Sequence, residues 1–181
     1  MYGDSIILLK QQGINVAPGL TSEEIRKIEG LYSIRFPKSF KQFLMEGVPI
    51  SKGFYNWRNY EHGNIQRIKQ MISFPVEQIS ELADEVEWCE EWGEEPDNRL
   101  DIERIVKMRL ERAPKLLPIY AHRYIPIFSN DDPPILSIHD TDVIYYGENL
   151  KEYFEVEFGK RRHGDIDQKN IRPIPFWSDI M

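Results

Sequence analysis

Four short runs between residues 116 and 147 constrain this chain more than any other feature: LLPIYA, YIPIFS, PILSIHD and DVIYYG. Each is rich in β-branched and aromatic residues and is bounded by Asn, Asp, Pro or Gly. That is the punctuation of strands and turns. The chain before them has a different period. In LTSEEIRKIEGLY, Thr21 or Ser22 can cap a helix, Glu23 and Glu24 sit at its positive end, and Ile25, Ile28 and Tyr32 recur at helical spacing. In IRFPKSFKQFLMEG, Pro37 suits a first helical turn, Phe40, Phe43 and Leu44 form an apolar stripe, and Gly47 is a stop. After the strands, ENLKEYFEVEFG spaces Leu150, Tyr153, Phe154 and Phe158 for one face of a closing helix. This order predicts an α+β fold, a small, mostly antiparallel sheet packed by an N-terminal helical pair and a C-terminal helix.

The remaining segments give weaker signals. The first eighteen residues read as a helix ending at APG. Residues 48–75 are irregular, with GFYNWRNYEHGN as strand or loop. A helix is expected from about Glu77, with Ile79, Leu82, Ala83 and Val86 inward. NRLDIERIVKMRLERAP predicts another, with Leu100 or Ile102, then Ile105, Val106 and Leu110 on one side, ended by Pro114. Residues 159–181 read as a tail that docks through Ile174, Phe176 and Trp177. The 181 residues suit one domain. The lone Cys89 excludes an internal disulfide or a multi-cysteine zinc site. With no apolar run long enough for a signal peptide or a membrane span, we expect a soluble, cytoplasmic protein with no membrane partner.

Residues suited to chemistry do not assemble into a motif. His122, Arg123, His139 and Asp142 are the material of a hydrolase or phosphodiesterase site, but they equally suit strand edges and turns. Asp140 and Asp142 read as turn residues. His62, His122, His139 and His163 show no ligand spacing. No glycine-rich phosphate loop is present. We therefore expect no catalytic residues, no metal and no cofactor.

The charge is more informative. The net charge of −7 gives no basic footprint for direct nucleic-acid binding. From Glu81 to Asp97 there are nine carboxylates and no Lys or Arg, with Trp88 and Trp92 interleaved. Two readings stand. One is a solvated helix face paired in space with KMRLER. The other is a protein-binding patch in which Trp88 and Trp92 anchor a basic partner and Glu90, Glu91, Glu94 and Glu95 orient it.

The segment LTSEEIRKIEGLYSIRFPKSFKQFLMEG resembles the opening of the SUKH superfamily, which includes yeast cell-wall-synthesis regulators and bacterial toxin-immunity proteins. The positions that carry the likeness are Leu20, Ile25, Ile28, Glu29, Tyr32, Ile34, Phe36, Pro37, Phe40, Phe43 and Leu44. The later LLPIYAHRYIPIF…PILSIHDTDVIYYG looks like the family's sheet. The resemblance covers about residues 20–158, leaving 159–181 as the tail of a single domain 1–181. Ser33 stands where the family commonly has glycine, and residues 48–115 are longer and more acidic than its pattern. The resemblance implies a non-enzymatic, protein-binding α+β domain, an immunity protein that neutralises a toxin, often a nuclease. The alternatives are a metal-dependent or His-based hydrolase or phosphodiesterase, drawn from the residues above, and a regulatory scaffold. It also implies that PIYAHRYIPIF is a strand pair with Ile119, Tyr120, Ile125 and Ile127 partly buried. The expected partner surface comprises the acidic stretch, the aromatic segment Phe54, Tyr55, Trp57 and Tyr60, and a sheet groove of Tyr120, His122, Arg123 and Tyr124.

Overall fold

The computed structural model describes residues 1–128 and 131–181. Its elements run α1 (Gly3–Gln11), β1 (Val16–Pro18), α2 (Ser22–Tyr32), α3 (Lys38–Glu46), β2 (Gly47–Pro49), α4 (His62–Glu81) and α5 (Arg99–Leu110). There follow β3 (Leu116–Tyr120), β4 (Arg123–Pro126), β5 (Ile135–His139), β6 (Asp142–Gly147) and α6 (Leu150–Glu157). The last four strands form an antiparallel meander in the order β3-β4-β5-β6, and β1 pairs with β2 in a separate two-stranded sheet. This is the expected α+β class. The run YIPIFS ends on Ser129, which lies outside the described residues.

The start of α2 follows from its sequence. Thr21 accepts the Glu24 N–H, and the Glu24 carboxylate accepts the Thr21 N–H, closing a capping box. At its other end Ser33 adopts φ 52°, the left-handed conformation that glycine favours, and the Ile34 N–H returns to the Glu29 carbonyl. Glu29 itself is buried, and its carboxylate accepts the Phe36 N–H, fixing the path into α3. Pro37 stands one residue before α3 as its cap. Gly47 ends α3 and begins β2 at once. The predicted helix end at APG is instead strand β1, paired with β2. Gly19 follows it because a Cβ there would strike the Met45 carbonyl.

Both faces of the meander are covered, which is why its strands read as nearly continuous apolar runs. Leu117, Ile119, Ile125 and Ile135 join a core with α2, α3 and α6. Leu116, Tyr124, Leu136, Ile138, Val143 and Tyr145 join a second core with the end of α4, with α5 and with the tail. Tail residues Ile174, Phe176 and Trp177 are buried there as expected, and the Trp177 indole donates to the Pro114 carbonyl at 2.8 Å.

Two helix expectations are corrected. The helix placed from about Glu77 is α4, which begins at His62 and runs through Pro75 to Glu81. A proline inside a helix costs about 3 kcal/mol. Here burial prevails, because α4 places Ile68 in the first core, Ile79 in the second and Met71 against both. The acidic residues beyond Glu81 are not helical. They form turns and one short 3₁₀ segment, Glu90–Trp92. Like charges four apart oppose a helix, and no cations are interspersed to offset them. On α5, Leu100 points to solvent, while Ile102, Val106 and Leu110 pack inward.

Candidate functional site

The acidic segment is held by its tryptophans. The Trp88 indole donates to the Gly93 carbonyl at 2.8 Å, closing the segment on itself. Trp92 stands edge-on to Trp88 at 5.3 Å, stacks on Phe176 at 6.0 Å, and donates its indole N–H to Asp179 at 3.0 Å. The Arg109 guanidinium lies 4.7 Å from the Trp92 ring centre. Trp92 is thus a clamp between α5, the acidic segment and the tail. Asp179 and Arg109 are neighbours of Trp92 that sequence reasoning missed, and Phe176, expected to dock the tail, docks it on this ring. Asp179 is 87 positions from Trp92, and no spacing signal connects them.

The carboxylates divide in two. Asp84 pairs with Arg99 at 2.6 Å. Among the described residues, no cation lies within ion-pair distance of Glu85, Glu87, Glu90, Glu91, Glu94, Glu95 or Asp97. All seven are exposed. The expected pairing with KMRLER therefore does not neutralise them. Lys107 binds Glu103, and Arg109 covers Trp92. A cleft of about 430 Å³ opens beside the segment, between Cys89–Glu91 and the tail residues Gln168, Lys169, Ser178 and Asp179. The site thus offers a fixed, unneutralised negative surface beside a concave one.

The other expected binding residues fall elsewhere. Trp57 is 1 % exposed, edge-on to Tyr32, Phe36 and Phe40. Phe54 and Tyr55 are also buried. These three rings are core rather than surface: Trp57 packs over α2 and α3, Phe54 packs on Tyr120 and Phe158, and the Tyr55 hydroxyl donates to the Ala121 carbonyl. Tyr60 is half-buried, with the Lys27 ammonium 4.0 Å from its ring centre.

The proposed groove of Tyr120, His122, Arg123 and Tyr124 is likewise corrected. Tyr124 is fully buried in the second core, where desolvation pushes its hydroxyl pKa upward. Arg123 is buried on the opposite sheet face, bonded to Glu157 and Ser137 at 2.8 Å each and lying over Tyr146 at 3.7 Å. Strand alternation sends the two residues to different cores. Tyr120 packs on Phe54 at 4.7 Å. Only His122 faces solvent.

His122 and His139 do come together, on neighbouring hairpin turns, with ring centres 6.1 Å apart. Burial, then the positive Arg123 and the His139 ring, hold the His122 pKa below its usual value. His139 Nδ1 lies 3.2 Å from Asp140, and both are largely exposed. Asp140 has φ 53°, so it and Thr141 form the expected turn into β6. His163 meets the Tyr145 carbonyl at 2.9 Å, away from this pair. Among the described residues no three His, Cys, Asp or Glu side chains stand together to hold a metal ion, and no helix is long and apolar enough to cross a membrane.

Comparison with known proteins adds one finding. The model of the SMI1 / KNR4 family (SUKH-1) matches residues 19–157. Searches of the curated proteins and of the solved structures return no match.

Proposed function

The chain belongs to the SMI1 / KNR4 family (SUKH-1), and from that premise we propose that it acts by binding a protein, as an immunity protein that neutralises a basic toxin domain. The observation that carries the reading is the set of seven exposed carboxylates with no cation within ion-pair distance among the described residues, on a segment that Trp92 fixes in place. Leaving such charges together raises self-repulsion, and a complementary surface relieves it. A nuclease presents that complement where it binds phosphates. An acidic protein seated there shields the groove without cutting any bond.

The test is association kinetics with the basic domain recovered by pull-down from the native host. Reversing Glu90, Glu91, Glu94 and Glu95 to Lys should slow association about tenfold or more and abolish its salt dependence. Unchanged association would remove the acidic segment from the interface.

A second reading, a histidine-based hydrolase, draws on the His122–His139 pair alone. It requires Arg123 to release Glu157 before it could clamp a phosphate. Nuclease or phosphatase activity with added divalent metals, lost in a folded His122→Ala variant, would promote it over the binding reading.

A further inference from the structure

Far along the chain from the acidic segment, the molecule carries a surface of opposite sign. Two clefts of about 530 Å³ each meet at Arg35 and Ile127. Together they form a groove past the α2–α3 connection. Four cations line it, Arg35, Lys38, Lys41 and Lys115, against two carboxylates, Glu29 and Asp131. Both carboxylates are engaged. Glu29 is buried and bonded to Arg35 and the Phe36 N–H, and Asp131 binds Lys38 at 2.7 Å. Among the described residues, no carboxylate lies within ion-pair distance of Lys41 or Lys115. The groove is therefore positive on a chain whose net charge is −7.

Its walls are built for contact. Ile34 and Phe36 are buried beneath it, and Ile127 and Phe128 are half-buried along it. The Arg172 guanidinium lies 4.9 Å from the Phe128 ring centre. The connection is fixed by the Glu29–Phe36 bond and the left-handed turn at Ser33.

We infer that this groove receives the acidic segment, residues 85–97, of a second copy of the chain. The complement is on the same molecule: seven exposed carboxylates without cations, and a half-buried tryptophan, Trp88, to meet the apolar walls. The pairing is between copies. Within one chain Trp92 ties the segment to Asp179 and Phe176, and none of its carboxylates reaches a groove lysine. The two surfaces are different, so the contact is head-to-tail and leaves one of each unused in every pair. Long-range repulsion between acidic copies is screened beyond about 8 Å at physiological salt, while pairs in contact are screened much less. The inference rests on the proposed docking role of the segment. It adds that a basic partner and a second copy compete for it, so self-association holds the acidic face covered until the partner displaces it.

Sedimentation equilibrium of the full chain tests this without the partner. The mass should rise with concentration at physiological salt and return to the monomer at about 1 M salt, where screening reaches about 3 Å. K41E/K115E should weaken association about tenfold or more, and K41Q/K115Q should weaken it less. E90K/E91K/E94K/E95K should weaken it as much as K41E/K115E. Mixing the two charge-reversed proteins should restore association, because each keeps the surface the other has lost. Circular dichroism and melting of each variant report its folding. A wild type that stays monomeric, a charge-reversed variant that associates normally, or a mixture that stays monomeric overturns the inference. So does a monomeric wild type whose groove lysines bind an oligo-glutamate peptide or single-stranded DNA, since the occupant is then foreign. A fluorescein-labelled oligo-arginine peptide separates the two levels. If it binds the acidic segment of K41E/K115E as tightly as the wild type while self-association is absent in both, the docking reading stands and only the second copy is excluded.

Discussion

Trp57 and Trp92 both sit in clusters of rings, and the clusters are built on different principles. Trp57 meets Phe36 at 5.1 Å, Tyr32 at 5.5 Å and Phe40 at 6.2 Å, all edge-on. Those partners come from α2, α3 and their connection, within the region that matches the family. Trp92 takes two of its partners from outside that region. Phe176 stacks on it, Asp179 accepts its indole N–H, and both belong to the tail beyond residue 157. The first cluster is core, with Trp57 1 % exposed. The second fixes a charged segment to a surface. A ring buried on all sides reports on packing, whereas a ring held by one hydrogen bond, one stack and one cation reports on where a segment is aimed.

The comparison predicts unequal costs. Trp57→Ala should destabilise the chain by about 3–5 kcal/mol in urea unfolding, as a large buried ring replaced by a cavity does. A loss under about 1 kcal/mol would mean the site collapses freely and the cluster is not the core described. Trp92→Ala removes one stack, one cation contact and one bond, so about 1–3 kcal/mol is expected. Its signature is local. Amide hydrogen exchange should rise across residues 85–97 while α2 and α3 keep their protection. Equal loosening of both regions would erase the distinction.

Acid sharpens the contrast on the side of Trp57. Arg58, next to it, donates to Glu24 at 2.8 Å and to the carbonyls of Pro18 and Gly19. The bond from Arg58, then that from the Thr21 backbone, lowers the Glu24 pKa from the usual 4.5 to about 2. The folded value is depressed, so this contribution to stability is complete above about 4.5 and is lost as pH falls through about 2. Arg58→Ala should raise the Glu24 pKa, followed by NMR of its carboxyl carbon, and flatten the acid loss of stability over that window. An unchanged Glu24 titration would show that Arg58 does not hold it.

The parts legible in the sequence were those governed by near neighbours. Thr21 and Glu24 specify a capping box three residues apart, and Phe40, Phe43 and Leu44 specify a buried stripe within two turns. The strands were legible because burial on both faces leaves their runs uniformly apolar. The start of α4 was hidden because Pro75 reads as a breaker, and only packing against both cores keeps the helix through it. At the site, the acidic segment and its tryptophans were visible as composition. The clamp was not, because Asp179 and Phe176 arrive from the far end of the chain. Trp57, Arg123 and Tyr124 were misplaced for the converse reason. Aromatic and charged residues in a loop or a short strand look exposed until a helix covers them.

Trp88 gives the smallest effect on stability and the finest test of the difference. It is half-buried, its indole N–H closes only onto Gly93, and its ring touches Trp92 edge-on. Trp88→Ala should therefore change the unfolding free energy by about 0.5–1.5 kcal/mol, the range of a single aromatic pair or one net hydrogen bond. As an interface anchor, the same truncation should cost about 2 kcal/mol of binding to a basic partner, close to thirtyfold in Kd. The two measurements together decide what the ring is for. A large loss of stability would make Trp88 a second structural clamp. A small loss in both would leave the carboxylates alone to hold the partner.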